Sequence, residues 1–331
     1  MEKNRDDIPR FLWLVLVTAV AILAGPAYAD EAIKLDPNLK AYAKVSGVSG
    51  NLNSIGSDTL NNLMTLWAEG FRKQYPNVKI QIEGKGSSTA PPALIEGTAQ
   101  LGPMSRPMKG TETDKFESKF GYKPTAFPVA IDALAVYVNK DNPIKGMTMA
   151  QVDAVFSKSR RWGHKENIQK WNQLGVDGQM GSSPISIYGR NSASGTYGFF
   201  KEHALKNGDF KDEVKEQPGS ASVVQGVTED RGGVGYSGIG YLTSGVRPVP
   251  LAEKEGMPFK AATQENAENG SYPLWRHLIL YVNKAPNKPV DPLVKEFIKY
   301  VYSKDGQQVV VKDGFFPLSA ASVERELKKL E

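Results

Sequence analysis

Two apolar segments that end alike set the strongest limit on the fold of this chain. PTAFPVAIDALAVYVNK (124–140) and YPLWRHLILYVNK (272–284) are both rich in apolar residues, and both close on YVNK. Such runs are typical of buried β-strands, and we interpret them as two crossings between lobes. Residues 51–131 and 274–331 are then predicted to form lobe I and residues 132–273 lobe II, with a ligand cleft between them.

The N-terminus has the layout of a secretory signal peptide. Lys3, Arg5 and Arg10 precede an apolar run of about fourteen residues, and a small-residue site follows that ends at Ala29. A membrane-spanning helix needs about 20 apolar residues, so an uncleaved anchor is the alternative. We expect residues 1–29 to be removed by cleavage after Ala29, residues 30–50 to form a polar leader, and the protein to be exported.

Composition and missing motifs exclude several functional classes. The 331 residues include no cysteine, which excludes disulfides and a lipid-modified N-terminal cysteine, and only three histidines, none at metal-ligand spacing. The net charge of +5 is dispersed, without the basic stripe of nucleic-acid binders. H-E-x-x-H, G-x-S-x-G, S-x-x-K and the P-loop are absent, so we expect neither catalysis, metal nor cofactor. GVGYSG (233–238) matches a dinucleotide motif but is rich in β-formers, which predicts a tightly packed strand.

Three Gly/Ser/Thr-rich turns share one plan, since each directly precedes a predicted helix. They are GSDT (56–59), GKGSST (84–89) and SASGT (192–196), and Arg190 stands two residues ahead of the last. A helix N-terminus offers unpaired N–H groups and a positive dipole end, and glycine lets an anion approach. Plain helix capping by the serines is the alternative. The three turns with the arginine together favour an oxyanion site.

The same segments resemble those of the periplasmic phosphate-binding proteins of ABC-type phosphate importers. The resemblance runs from about Asn51 to Leu318, through GSDTL, GKGSS, GRNSASGTYGFF, GGVGYSGIGYL, YPLWRHLILYVNK and SKDGQQVVVKDGFFPL. It implies an α/β, two-lobed class II periplasmic binding protein fold with two interlobe crossings. It also implies a set of phosphate ligands: Ser57, Asp58, Thr59, Ser87, Arg190, Ser194, Gly195 and Thr196.

Two positions depart from the family pattern. Arg106 in GPMSRPM stands where the family often has an acid, and Ser192 where members can carry an aspartate that braces the arginine. A carboxylate that accepts the phosphate proton rejects sulfate, which has none. Asp58 is the nearest replacement, with helix capping as its alternative role. Arg106 is expected either to pair with Asp58 or to add a second cation at the edge of the site.

The resemblance implies a monomeric, non-catalytic protein that binds inorganic phosphate in the periplasm and delivers it to an inner-membrane ABC permease. No nucleic-acid partner is expected. Three alternatives stay open at this point. They are a binder of another tetrahedral oxyanion such as sulfate or arsenate, because Arg106 loosens the usual discrimination, a secreted phosphatase, and an adhesion or signalling protein on the same scaffold.

Overall fold

A computed structural model describes residues 32–331; the expected signal peptide therefore lies outside the described residues. Ile33–Glu331 forms one compact α/β unit. The strands are β1 Gly50–Ile55, β2 Val78–Glu83, β3 Gly102–Met104, β4 Thr125–Asn139, β5 Met147–Thr148, β6 Ser186–Arg190, β7 Lys215–Gln217, β8 Gly233–Gly238, β9 Val246–Pro248, β10 Leu251–Ala252 and β11 Trp275–Val282. The α-helices are α1 Asn61–Gln74, α2 Ala90–Glu96, α3 Gly110–Phe120, α4 Met149–Phe156, α5 Gly178–Ser182, α6 Gly195–His203, α7 Ser220–Glu229, α8 Gln264–Glu268, α9 Pro292–Tyr302, α10 Lys304–Lys312 and α11 Ala320–Leu327.

The first unit after the leader is β1-α1-β2, with the two strands parallel. The sequence predicts it, because the apolar residues of α1 recur at helical spacing and Pro76 follows the helix. Leu63, Met64, Trp67 and Phe71 are all fully buried. Burial of each such side chain contributes about 1.5–3 kcal/mol, so this one face anchors α1 and the turn that leads into it.

The main sheet has the strand order β3-β11-β4-β8-β6-β7, and β9 also pairs with β4. The long strand β4 changes partner in its middle, since it pairs with β11 up to Ala133 and with β8 from Leu134 onward. Both of the apolar YVNK segments are therefore strands of one mixed sheet. The lobe boundaries at 131/132 and 273/274 stay a prediction.

Strand β8 is the GVGYSG segment, and all six of its residues are buried. A Cβ atom added to Gly235 would lie 2.8 Å from the Val223 side chain of α7. The prediction of a strand with tight backbone packing is confirmed. Within residues 32–331, every helix is too short or too polar to cross a bilayer.

Candidate anion-binding site

Five hydroxyl groups from four separate segments lie in one hydrogen-bonded chain. Ser57 Oγ donates to Ser105 Oγ at 3.0 Å, and Ser105 Oγ lies 3.3 Å from Ser87 Oγ and 3.5 Å from Thr196 Oγ1. Thr196 Oγ1 is also 2.8 Å from Thr59 Oγ1. All five residues are at most 2% exposed. The folded chain thus brings four of the predicted ligands together with Ser105, which the sequence reasoning missed.

Of the three serines in the Gly/Ser/Thr-rich turns, one caps a helix as the alternative predicts and two do not. Ser194 is the N-cap of α6, and its Oγ accepts from the amides of Thr196 and Tyr197. Ser57 is the N-cap of its 3-10 turn but makes no capping hydrogen bond, and Ser87 lies one residue after the N-cap of its turn, which is Gly86. Their hydroxyls turn towards Ser105 instead, so helix capping does not explain them.

Gly195 begins α6 in direct contact with the hydroxyl chain. A Cβ atom added there would lie 2.1 Å from Ser87 Oγ and 2.7 Å from Ser105 Oγ, so only glycine fits. The first amides of a helix have no partner within the helix, and its N-terminal end carries a partial positive charge. Because Ser194 Oγ already accepts from the Thr196 and Tyr197 amides, the Gly195 amide is the one of the first three that the α6 N-terminus leaves for a ligand beside the buried hydroxyls.

Arg190, at the end of β6, is 2% exposed. Its Nη1 donates to Ser220 Oγ at 2.8 Å and lies 3.2 Å from Asp58 Oδ2, and its Nη2 donates to the Pro218 carbonyl at 3.1 Å. Burial lowers the pKa of Arg190, and the Asp58 carboxylate opposes that shift. Its buried Nε has no hydrogen-bond partner among the described residues. An unpaired buried donor is unfavourable, so the guanidinium retains capacity for an acceptor.

Asp58 caps a helix, but not the turn in which it lies. Its Oδ2 accepts from the Ser220 backbone amide at 2.8 Å and from Ser220 Oγ at 2.9 Å, at the start of α7. The side chain is about one quarter exposed. Its Oδ1 receives no hydrogen bond from the described residues, so one carboxylate oxygen stays open to an acidic proton.

Arg106 has a carboxylate partner of its own. Its two terminal nitrogens donate to the two carboxylate oxygens of Glu112 at 2.8 and 2.7 Å, in a bidentate pair. Burial raises the pKa of Glu112, but hydrogen bonds from Arg106 and from the Lys109 amide lower it in net. The expectation that Arg106 pairs with Asp58 is wrong, because Asp58 pairs with Arg190. A role for Arg106 at the edge of the site stays a prediction, with its charge offset by Glu112.

A second buried arginine contacts the cluster and was missed from the sequence. Arg276 Nε donates to Asp132 Oδ2 at 2.9 Å, Nη1 to the Ser105 carbonyl at 2.8 Å, and Nη2 to Thr196 Oγ1 at 3.0 Å. Asp132 is fully buried, and Arg276 is 3% exposed. The two residues are directly opposite each other on β4 and β11. Each is a charged residue inside an apolar run, which is the signal that marks such a pair.

The site can therefore hydrogen-bond a small, acceptor-rich ligand and balance its charge. Hydroxyls, helix amides and guanidinium groups supply donors, and Asp58 supplies one open acceptor. Nothing in residues 32–331 groups three or more His, Cys, Asp or Glu side chains as a metal site would require.

Buried donors at helix N-termini and strand ends of an α/β fold are an arrangement that binds small anions in many proteins. Residues 42–305 match the family model of the PBP superfamily domain, and the chain belongs to that superfamily. It is 60% identical to the phosphate-binding protein PstS of Pseudomonas aeruginosa over 309 residues, which cover 93% of this chain and 96% of the relative.

More distant relatives share the same architecture. The PstS phosphate-binding protein of Bacillus subtilis is 26% identical over 98% of both chains. A crystal structure with bound phosphate, of a Clostridium perfringens protein described as a phosphate ABC transporter substrate-binding protein, aligns with a TM-score of 0.68. That chain is 26% identical, and the alignment covers 82% of this chain and all of the other. A phosphate transport receptor from Vibrio cholerae, 22% identical with a TM-score of 0.62, shares the fold; the alignment covers 81% of this chain and all of the receptor.

Proposed function

We propose that this protein binds inorganic phosphate and delivers it to the permease of an ABC transporter. The observation that carries the proposal is the convergence of buried hydroxyls from four segments on the N-terminus of α6, beside Arg190 and Arg276. The names of the Pseudomonas aeruginosa and Clostridium perfringens proteins support phosphate as the ligand and ABC transport as the process. A tetrahedral oxyanion carries acceptor oxygens in several directions and can therefore accept from several of these donors at once.

We propose further that the chain is a binding protein without catalytic activity and that it acts outside the cytoplasm. Its relatives are named as binding proteins, and the described site pairs no hydroxyl with a histidine or lysine base. The sequence pattern of residues 1–29 supports export with cleavage after Ala29.

A calorimetric titration tests the function directly. Protein freed of ligand by unfolding and refolding is titrated with phosphate, sulfate and arsenate at physiological ionic strength. Tight binding of phosphate with weak binding of sulfate supports the proposal. Preference for sulfate would favour the other oxyanion function, and release of phosphate from a generic ester would favour a phosphatase.

Selectivity against sulfate is assigned to Asp58. Its free Oδ1 can accept the proton that phosphate carries at neutral pH, whereas sulfate has no proton and would face the carboxylate unshielded. Because Arg106 is neutralised by Glu112, it does not add an uncompensated charge that attracts any dianion.

The variant Asp58→Asn is expected to lose discrimination through a gain in sulfate affinity as well as a loss in phosphate affinity. Asparagine keeps an oxygen for the Ser220 amide and replaces the free carboxylate oxygen by a donor. The phosphate O–H then loses its acceptor, and an unsatisfied polar group in a buried site costs about 1–3 kcal/mol. Together with the gain for sulfate, the ratio of phosphate affinity to sulfate affinity should fall about tenfold or more. Competition titrations measure it, with the exposed Asp212→Asn as the control. An unchanged ratio would mean that Asp58 only caps α7.

Phosphate is expected to close the protein about the β4 crossing. The donors come from both predicted lobes, since Ser57, Ser87 and Ser105 lie before residue 131 and Arg190 and Thr196 lie after it. Only a closed form satisfies both sets, so the anion shifts the population towards closure. Small-angle scattering should show a smaller radius of gyration with phosphate. Identical curves from protein with confirmed binding would contradict closure.

A further inference from the structure

The Arg276–Asp132 pair contacts the hydroxyl cluster in a way that sets the direction of its hydrogen bonds. A guanidinium group can only donate, so Thr196 Oγ1 must be the acceptor in its 3.0 Å bond with Arg276 Nη2. Thr196 Oγ1 also lies 2.8 Å from Thr59 Oγ1. When Thr59 donates in that contact, both lone pairs of Thr196 Oγ1 are occupied and its single proton can go only to a further acceptor, such as an anion. Arg276 thus occupies one of the two acceptor positions of this hydroxyl and leaves fewer arrangements in which Thr196 does not donate to the anion.

Two other hydroxyls of the site have the same polarity for a different reason. Ser87 Oγ accepts from the Ser105 backbone amide at 3.0 Å, and Ser194 Oγ accepts from two amides of α6. An amide, like a guanidinium, cannot accept in return. Thr196 sits within α6, where it lacks such an amide, and Arg276 supplies the missing donor.

Asp132 holds Arg276 in the orientation that this requires. One of its carboxylate oxygens accepts from Arg276 Nε and the other from the Ile239 backbone amide, at 2.9 Å each. Asp132 Oδ2 also lies 2.7 Å from Arg276 Nη2, and Nη1 donates to the Ser105 carbonyl. The second N–H of Nη2 is then left for Thr196 Oγ1. The carboxylate also balances the charge of Arg276. The pair therefore orients the hydrogen bonds of Thr196 without adding net charge to the site.

We propose that Arg276 is a positioning residue for anion binding, which commits the Thr196 hydroxyl proton to the bound phosphate. This inference rests on the proposed function and deepens it, because it explains how a hydroxyl that can donate or accept becomes a donor. A buried ion pair can also be retained for structure alone. The two roles differ in whether the effect of Arg276 passes through Thr196.

A double-mutant cycle in phosphate titrations separates the two roles. Arg276→Lys keeps the charge beside Asp132, but its three protons share one nitrogen and cannot reproduce the three-way contact. We expect it to weaken phosphate binding about tenfold, as loss of one charge-assisted hydrogen bond does. In a Thr196→Val background, which has no hydroxyl to direct, the same substitution should weaken binding less than about twofold.

Controls make the outcome decisive. Arg247→Lys changes an arginine that donates to backbone carbonyls of the loop at Asn142 and Ile144, and it should have no coupling to Thr196→Val. If Arg276→Lys does not fold, the paired change Arg276→Gln with Asp132→Asn replaces the ion pair by amides of similar shape, and the same cycle is run with it. Thermal unfolding of every variant monitors the fold.

Equal weakening in both backgrounds, or no weakening in either, would overturn the positioning role. A failure of the unmodified protein to bind phosphate is a different result, because it overturns the proposed function itself. We expect Arg276→Lys and Thr196→Val to be coupled in phosphate affinity but not in unfolding temperature. A pair with a purely structural role would instead show coupling in the unfolding temperature.

Discussion

Arg190→Ala is expected to weaken phosphate binding by roughly 30-fold to several thousandfold. Truncating one partner of a buried, hydrogen-bonded charge pair costs about 2–5 kcal/mol, and each 1.4 kcal/mol is a factor of ten in affinity. The loss is large here because the side chain is only 2% exposed and also anchors Asp58 and Ser220. Arg190→Lys should remain weak, since a single ammonium cannot replace a guanidinium that contacts several acceptors.

Calorimetric titration measures the effect, and Arg231→Ala is the control. Arg231 is an arginine whose side chain is about three quarters exposed and whose ion pair with Asp141 lies on the surface, so its removal should leave phosphate affinity unchanged. If Arg190→Ala bound phosphate with the affinity of the unmodified protein, Arg190 would not be a ligand of the anion.

Gly195→Ala is expected to abolish phosphate binding without unfolding the protein. The added methyl group would lie 2.1 Å from Ser87 Oγ, a distance that no real contact allows, so the turns at Ser87 and α6 must separate. Alanine favours helices more than glycine by about 1 kcal/mol, so α6 itself is not weakened. The variant should therefore stay folded with the cleft held open.

A matched glycine serves as the control. Gly110 begins α3 as Gly195 begins α6, but a Cβ atom added to Gly110 meets no other atom within 4 Å. Gly110→Ala should bind phosphate as the unmodified protein does. Binding by Gly195→Ala at normal affinity would show that contact between Ser87 and α6 is not needed for the bound state.

The local parts of the fold could be predicted from the sequence because each depends on a short segment. Apolar periodicity predicts the β1-α1-β2 unit, and a run of β-forming residues predicts the strand at 233–238. Both signals lie within short stretches of sequence. The turn at 192–196 is likewise visible from its glycine and hydroxyl residues. These features need no knowledge of how distant segments pair.

The parts that were missed depend on such pairing. Arg276 and Asp132 are 144 residues apart and meet only through the register of β11 on β4. Ser105 joins the cluster because it directly follows β3, and nothing in its local sequence distinguishes it from an ordinary loop serine. The Arg106–Glu112 pair spans only six residues. It was within reach of local reasoning, because Glu112 lies in the first turn of a helix that starts just after Arg106.

The change of partners along β4 has a mechanical consequence. Its ladder with β11 ends at Ala133, and its ladder with β8 begins at Leu134, so no registered strand pair spans that junction. Rotation at this peptide would keep the registered pairs of both ladders and strain the bonds that cross it, such as the 2.9 Å bond from the Leu134 amide to the Leu274 carbonyl and the 2.9 Å bond from the Ile239 amide to Asp132. The two halves of the sheet could therefore change their mutual angle at the cost of few hydrogen bonds, because each ladder would move as one piece.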